Sequence, residues 1–150
     1  MERRKFLSLT VGALALAVVP ASVRAEDFRK SKPAVWTAHT TEDAVKAMYG
    51  SITPTESGVT VTTPDVAANG GAVPINVKSD IAAKTVTIFQ DANPESTVIA
   101  FNCNEYSIIN YDIKIKMKKS GTITCIVEGQ DGKFYVGKRT LEVALGGCEG

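Results

Sequence analysis

Histidine occurs once in this chain, at His39, and tryptophan once, at Trp36. A lone histidine with no partner to orient it is a poor general base, so histidine-dependent catalysis has little to stand on. Three cysteines, Cys103, Cys125 and Cys148, are too few for a disulfide-built scaffold. They lie 22 and 23 residues apart, without CxxC or HxxxH spacing, so zinc-type ligation is weakly supported and no metal site is assigned. GxSxG, HExxH, P-loop and GxGxxG patterns are all missing. No cofactor is expected. Strand and helix patterns do not alternate as βαβ units, which argues against a doubly wound sheet.

The amino terminus does carry a pattern. Arg3-Arg4-Lys5-Phe6-Leu7 precedes an apolar run from Leu9 to Val19, which Pro20 ends. Val23-Arg24-Ala25 supplies a small-residue cleavage site. The run is too short to span a bilayer and reads as an export signal over residues 1–25. The paired arginines fit the twin-arginine route, with a general-secretory signal as the plainer alternative. A periplasmic product of 125 residues is expected, enough for one domain with a core. Without Glu2, Arg3, Arg4, Lys5 and Arg24 it keeps 13 basic and 15 acidic residues, a formal charge of −2. Nothing in that balance suggests nucleic acid as a partner.

Residues 26–40 are mixed and polar, and are expected to pack loosely over the domain. Thr40 with Asp43 resembles a capping box, Ala44, Val45, Ala47 and Met48 give a short amphipathic helix, and Gly50 stops it. The period then becomes two. Val59 and Val61 alternate with threonines; Val73, Ile75 and Val77 alternate with polar residues and with Pro74, which predicts an edge strand or a bulge. Further strands are predicted at 84–90, at 97–103 (almost wholly apolar, as if buried on both faces), at 111–117, at 123–127 and at 133–145. Gly70-Gly71 reads as a turn into a strand, and 128–132 as another turn. Seven strands with turn signals predict an all-β, immunoglobulin-like antiparallel β-sandwich over residues 26–145, with one short N-terminal helix.

Cys103 and Cys125 share the parity of inward-facing neighbours. They form either a disulfide between sheets or two buried thiols, and the spacing does not choose. Lys114, Lys116, Lys118 and Lys119 have two readings as well: a solvated, guarded sheet edge, or an electropositive stripe for an anionic substrate or acidic partner.

That leaves the tail, Gly146-Gly147-Cys148-Glu149-Gly150. The glycines leave the backbone free and offer nothing to pack, so the tail reads as a short flexible arm bearing a thiol. Prenylation needs the cysteine fourth from the end, and here it is third. Glu149 and the terminal carboxylate disfavour the thiolate, and the tail holds no cation to oppose them. The arm is therefore not self-activating; partner enzymes supply the activation. Three residues past Leu145, extended, place Cys148 about 10 Å beyond the domain.

These features together resemble the SoxY family, the sulfur carrier subunits of periplasmic thiosulfate-oxidising Sox systems. The resemblance spans nearly the whole chain: the twin-arginine signal, the segment from Asn69-Gly70 to Val73-Pro74-Ile75, the sandwich pattern and the thiol arm. The family's tail reads Gly-Gly-Cys-Gly-Gly, and Glu149 departs from it. The resemblance implies a covalent carrier without catalytic activity of its own, with Cys148 as the sulfur attachment point and Gly146, Gly147 and Gly150 as its flexible setting. It implies a heterodimer with a SoxZ-like β-sandwich subunit and transient visits to SoxAX-, SoxB- and SoxCD-like enzymes. Two other classes compete: a periplasmic redox or metal-chaperone module using the terminal thiol, and an adhesion-type sandwich joined by an intermolecular disulfide.

Overall fold

The computed structural model describes residues 25–144. Residues 1–24, all but the last of the expected signal 1–25, and residues 145–150, which include the expected arm 146–150, lie outside the described residues, and so does the site expected at Cys148.

Among the described residues eight strands form two sheets. They are β1 (Val59–Thr62), β2 (Val66–Ala67), β3 (Val73–Ser79), β4 (Ala83–Gln90), β5 (Thr97–Asn102), β6 (Ile109–Ile115), β7 (Gly121–Gly129) and β8 (Phe134–Val143). One sheet has the order β1-β3-β6, the other β2-β8-β7-β4-β5. All pairings are antiparallel except β2 with β8. The expected sandwich is present. Its core between the sheets includes Val73, Val77, Val86, Ile88, Ile123, Cys125 and Val127, all fully buried.

A second cluster lies on the outer face of the larger sheet. Phe89, Ile126 and Val136 point there and are covered by the N-terminal segments. These are α1 (Phe28–Ser31), a 3-10 turn at Pro33–Trp36 and α2 (Thr41–Tyr49). Thr40 caps α2 as expected: its hydroxyl oxygen accepts a hydrogen bond from Asp43 N at 3.1 Å. Ala44 and Met48 are the buried face of α2.

Several expectations change. Residues 26–40 are not a loose leader. Phe28 and Val35 are buried, the Trp36 indole donates to Phe28 O at 3.2 Å, and Arg29 stacks over its ring. Thr97 Oγ1 donates to Val35 O at 2.7 Å and Ser96 N to Ala38 O at 2.9 Å, so the segment is tied to the sheet it covers. The strand at 97–102 is not buried on both faces. It is an edge strand whose side chains are mostly half-buried. The doubly buried strands are β4 and β7, because only the middle of the larger sheet has a sheet on one side and helices on the other. Strand β3 is central, not an edge. Pro74 is tolerated because β1 reaches only to Asn76, so no β1 neighbour lies opposite the proline.

Beyond Asn76 an open groove of about 690 Å3 separates Pro64 from Pro74. The 133–145 strand begins at Phe134 and runs unbroken through Gly137. There β1 crosses closely: a Cβ on Gly137 would sit 2.4 Å from Val59 O.

Candidate functional site

The end of β8 is the base from which the tail departs, and it is held on both edges. Backbone N–H groups alternate across a strand. Glu142 N donates to Asp65 O and Ala144 N to Ala67 O, each at 2.9 Å. Between them Val143 N turns the other way and donates to Ser120 Oγ at 2.9 Å. Strand β2 exists only through this contact, pairing Val66 with Glu142 and Ala67 with Val143. An Asp65–Arg139 ion pair closes the same edge. The last strand is thus fixed as far as Ala144, the last described residue.

Three loops meet at this end. The Asn69-Gly70-Gly71 turn is closed by Gly71 N donating to Asn69 Oδ1 at 2.8 Å, and Gly70 O accepts from Met117 N at 2.8 Å. Met117 is fully buried and roots the loop from Lys116 to Ser120 in the core. Asn93 clamps that loop a second time, donating to Lys116 O at 2.7 Å and accepting from Lys118 N at 3.0 Å. Gln90, only 1% exposed, organises the loop that carries Asn93. Its amide oxygen accepts from Ala92 N and Asn93 N, and its amide nitrogen donates to Glu95 O. Gln90 was invisible to sequence reasoning, since a glutamine ending an apolar strand carries no pattern.

The lysine row is exposed as the alternation predicts, but the strand ends at Ile115, earlier than expected. Lys114, Lys116, Lys118 and Lys119 are all exposed, and none enters an ion pair among the described residues. Lys114 lies on β6, an outer strand of the smaller sheet, and Lys116, Lys118 and Lys119 follow on the loop that ends at Ser120, at the base of the tail.

Cys103 and Cys125 are both free thiols. They lie in the same sheet, not across the sandwich. Cys125 pairs with Ile88, Ile88 pairs with Ile99, and Cys103 follows Ile99 by four residues. Two strand spacings and four residues put their Cα atoms on the order of 15 Å apart, beyond the ~7 Å reach of a disulfide. Burial pushes the Cys125 thiol up to about 12, which removes its nucleophilic form at neutral pH. Cys103 Sγ lies 3.7 Å from Tyr111 Oη. Burial, followed by that contact, raises the Tyr111 phenol to about 12.

His39 is exposed, with Nδ1 2.8 Å from Pro94 O, a contact that ties the segment before α2 to the β4–β5 loop. Among the described residues no cluster of three His, Cys, Asp or Glu is arranged to hold a metal, and no helix is long and apolar enough to cross a membrane. Cys148, Gly146, Gly147, Glu149 and Gly150 lie outside the described residues.

The sulfur carrier protein SoxY from Chlorobium limicola f thiosulfatophilum is similar in structure, with a TM-score of 0.63 and 28% identity over 69% of this chain and 96% of that one. A superoxide reductase (neelaredoxin) from Ignicoccus hospitalis aligns with a TM-score of 0.52 over 59% of this chain and 81% of its own. At 12% identity that likeness concerns the fold alone. A search of curated proteins finds no match. The family described as sulfur oxidation protein SoxY matches residues 45–148, from α2 through the sandwich and into the tail as far as Cys148. That span takes in the Asn69-Gly70 turn, the strands it joins and the base of the tail, and on it the chain belongs to the SoxY family of sulfur-oxidation carrier proteins.

Proposed function

We propose that this protein carries sulfur intermediates covalently on Cys148 during periplasmic oxidation of thiosulfate to sulfate. The observation that carries the reading is the firm anchoring of β8 through Ala144, four positions before a thiol that follows Gly146-Gly147 within the family match. Cys148 lies four positions beyond Ala144, which gives an extended reach of about 13 Å from a fixed base.

The chemistry asked of the thiol is simple to balance. Loading joins Cys148 Sγ to the outer sulfur of thiosulfate. The thiol proton and two electrons leave, the electrons passing to a haem enzyme of the SoxAX type, and a cysteine S-thiosulfonate forms. Water then cleaves the bond between the sulfane sulfur and the sulfonate at a SoxB-like hydrolase. Sulfate and a proton depart, and a persulfide stays on Cys148. A SoxCD-like enzyme oxidises that sulfur further. The carrier contributes position: one residue type on one tether that several active sites can admit.

Export by the twin-arginine route and pairing with a SoxZ-like subunit complete the reading, since that route moves folded proteins and can carry a partner without its own signal. Cys148→Ser should abolish thiosulfate-dependent sulfate formation in a reconstituted system while leaving thermal unfolding unchanged. Intact mass of the native protein should show sulfur or thiosulfate adducts on the Cys148 peptide. Sulfate formation by the serine variant at the wild-type rate would end the proposal.

A further inference from the structure

The tail ends in a concentration of negative charge. Glu149 follows Cys148 directly, and a thiosulfonate on the sulfur adds a second negative group. The described domain holds the opposite charge at the point of departure. Lys116, Lys118 and Lys119 are exposed and free of ion pairs among the described residues. They sit on a loop that is held still by Asn93, by Gly70 O and by the burial of Met117. The same loop ends at Ser120, whose hydroxyl oxygen accepts from Val143 N, so the lysines stand beside the root of the tail.

We infer that Lys116, Lys118 and Lys119 form an electrostatic seat for the anionic tail and its cargo. The identity of the cargo rests on the carrier reading above; the seat for the tail does not.

Other charges at this end leave the balance in place. Asp65 is neutralised by Arg139. The Asp91 carboxylate accepts from Thr122 N at 2.7 Å and is turned toward that strand. Asp91 and Glu142, both exposed, are competing carboxylates at this end, two against the three lysines. An extended reach of about 13 Å from Ala144 lets Cys148 come within range of the loop. The tail supplies no cation of its own, so these lysines offset the groups that disfavour the Cys148 thiolate. The geometry explains how a tail carrying Glu149 keeps a usable thiol.

The test reads the thiol directly and needs no partner enzyme. The mature protein is alkylated with iodoacetamide below the thiol pKa, and the rate is followed by mass on the Cys148 peptide. Three cations about 10 Å away across water should raise the rate about fivefold over a Lys116→Gln, Lys118→Gln, Lys119→Gln variant at about 10 mM ionic strength. The ratio should fall to about twofold at 0.1 M and to near one at about 1 M. A control variant, Lys78→Gln with Lys84→Gln and Lys133→Gln, removes as much charge from the opposite end of the sandwich and should stay near the wild-type rate.

Equal rates for wild type and the loop variant at low salt would overturn the seat and leave the lysines to an acidic protein surface. An equal drop in the control would overturn it too, reducing the effect to net charge. Loss of sulfur transfer by Cys148→Ser would be unaffected by either outcome, so the two proposals fail separately.

Discussion

Two glycines face the same steric problem with unequal means of solving it. A Cβ added at Gly137 would lie 2.4 Å from Val59 O, and one at Gly121 would lie 2.4 Å from Asp91 Oδ1. At Gly137 the obstacle is backbone. Val59 is paired with Ser79 in β3, and Ser79 Oγ donates to the neighbouring Gly58 O at 2.6 Å. Relief requires β1 to move off β8, with Val59 C and Cγ1 also only 3.0 Å from the new carbon. Overpacking against an immobile neighbour costs about 3 kcal/mol, at the upper end of its usual range. At Gly121 the nearest obstacle is a carboxylate that can rotate, and Ala92 Cβ, at 3.1 Å, need give only a few tenths of an ångström. The loss is the hydrogen bond from Thr122 N to Asp91 Oδ1, worth ~1 kcal/mol, partly offset by the lower chain entropy of alanine in the unfolded state. Urea unfolding of the mature domain should therefore show Gly137→Ala destabilised by about 3 kcal/mol and Gly121→Ala by about 1 kcal/mol or less. For a domain of this size the first corresponds to a fall of roughly 12 °C in Tm. If Gly137→Ala lost less than Gly121→Ala, the close crossing of β1 over β8 would be wrong.

Met48 is buried among Phe28, Val35 and Phe89, so Met48→Ala should cost about 3 kcal/mol in the same assay; a loss under ~1 kcal/mol would mean that the helical layer is as loose as the sequence suggested. Alkaline pH should destabilise the fold. Burial raises Cys125 and Tyr49 to about 12, above their ordinary values, so the unfolded chain releases these protons first. The stability is complete below about pH 9 and is lost progressively as pH rises toward 12. A urea midpoint that stays constant from about pH 8 to 11 would contradict this, and Cys125→Ala should remove the earliest part of the fall, where the unfolded thiol titrates.

What the sequence made legible was local or periodic. The Thr40 cap and the Ala44–Met48 face rest on neighbours three and four residues apart, and both are present. Strands β1, β3 and β6 show clean alternation because each has one face in the core and one in water. The failures share a cause. Whether Thr97–Asn102 or the middle of β4 and β7 is buried twice depends on strand order, which a run of apolar residues does not encode. Strand β2 is two residues long and is a strand only because β8 lies beside it. Phe28, Val35 and Trp36 follow no period, yet they fill the second core because a face of the larger sheet needs covering. The disulfide question turned on the same point, since Cys103 and Cys125 are separated by strand order that their parity could not reveal.

A carrier thiol at Cys148, as proposed, fits what the sandwich does to the other two cysteines. A cysteine on an inward strand position is held neutral by burial, as Cys125 is, and cannot serve as a nucleophile near neutral pH. A half-buried one such as Cys103 is enclosed by Tyr111 and the β5–β6 side of the core, where no enzyme channel could surround it. A thiol that several enzymes must enclose in turn has to stand clear of both sheets. The end of a strand is the economical place, provided that the strand does not fray and lengthen the tether unpredictably. The bonds to Ala67 O, Asp65 O and Ser120 Oγ prevent that fraying on both edges of β8. A thiol clear of the core also lacks any fixed counter-charge, and Glu149 beside Cys148 would make that loss worse. The lysine loop, rooted by Met117 and tied to the same serine, is what we infer restores it.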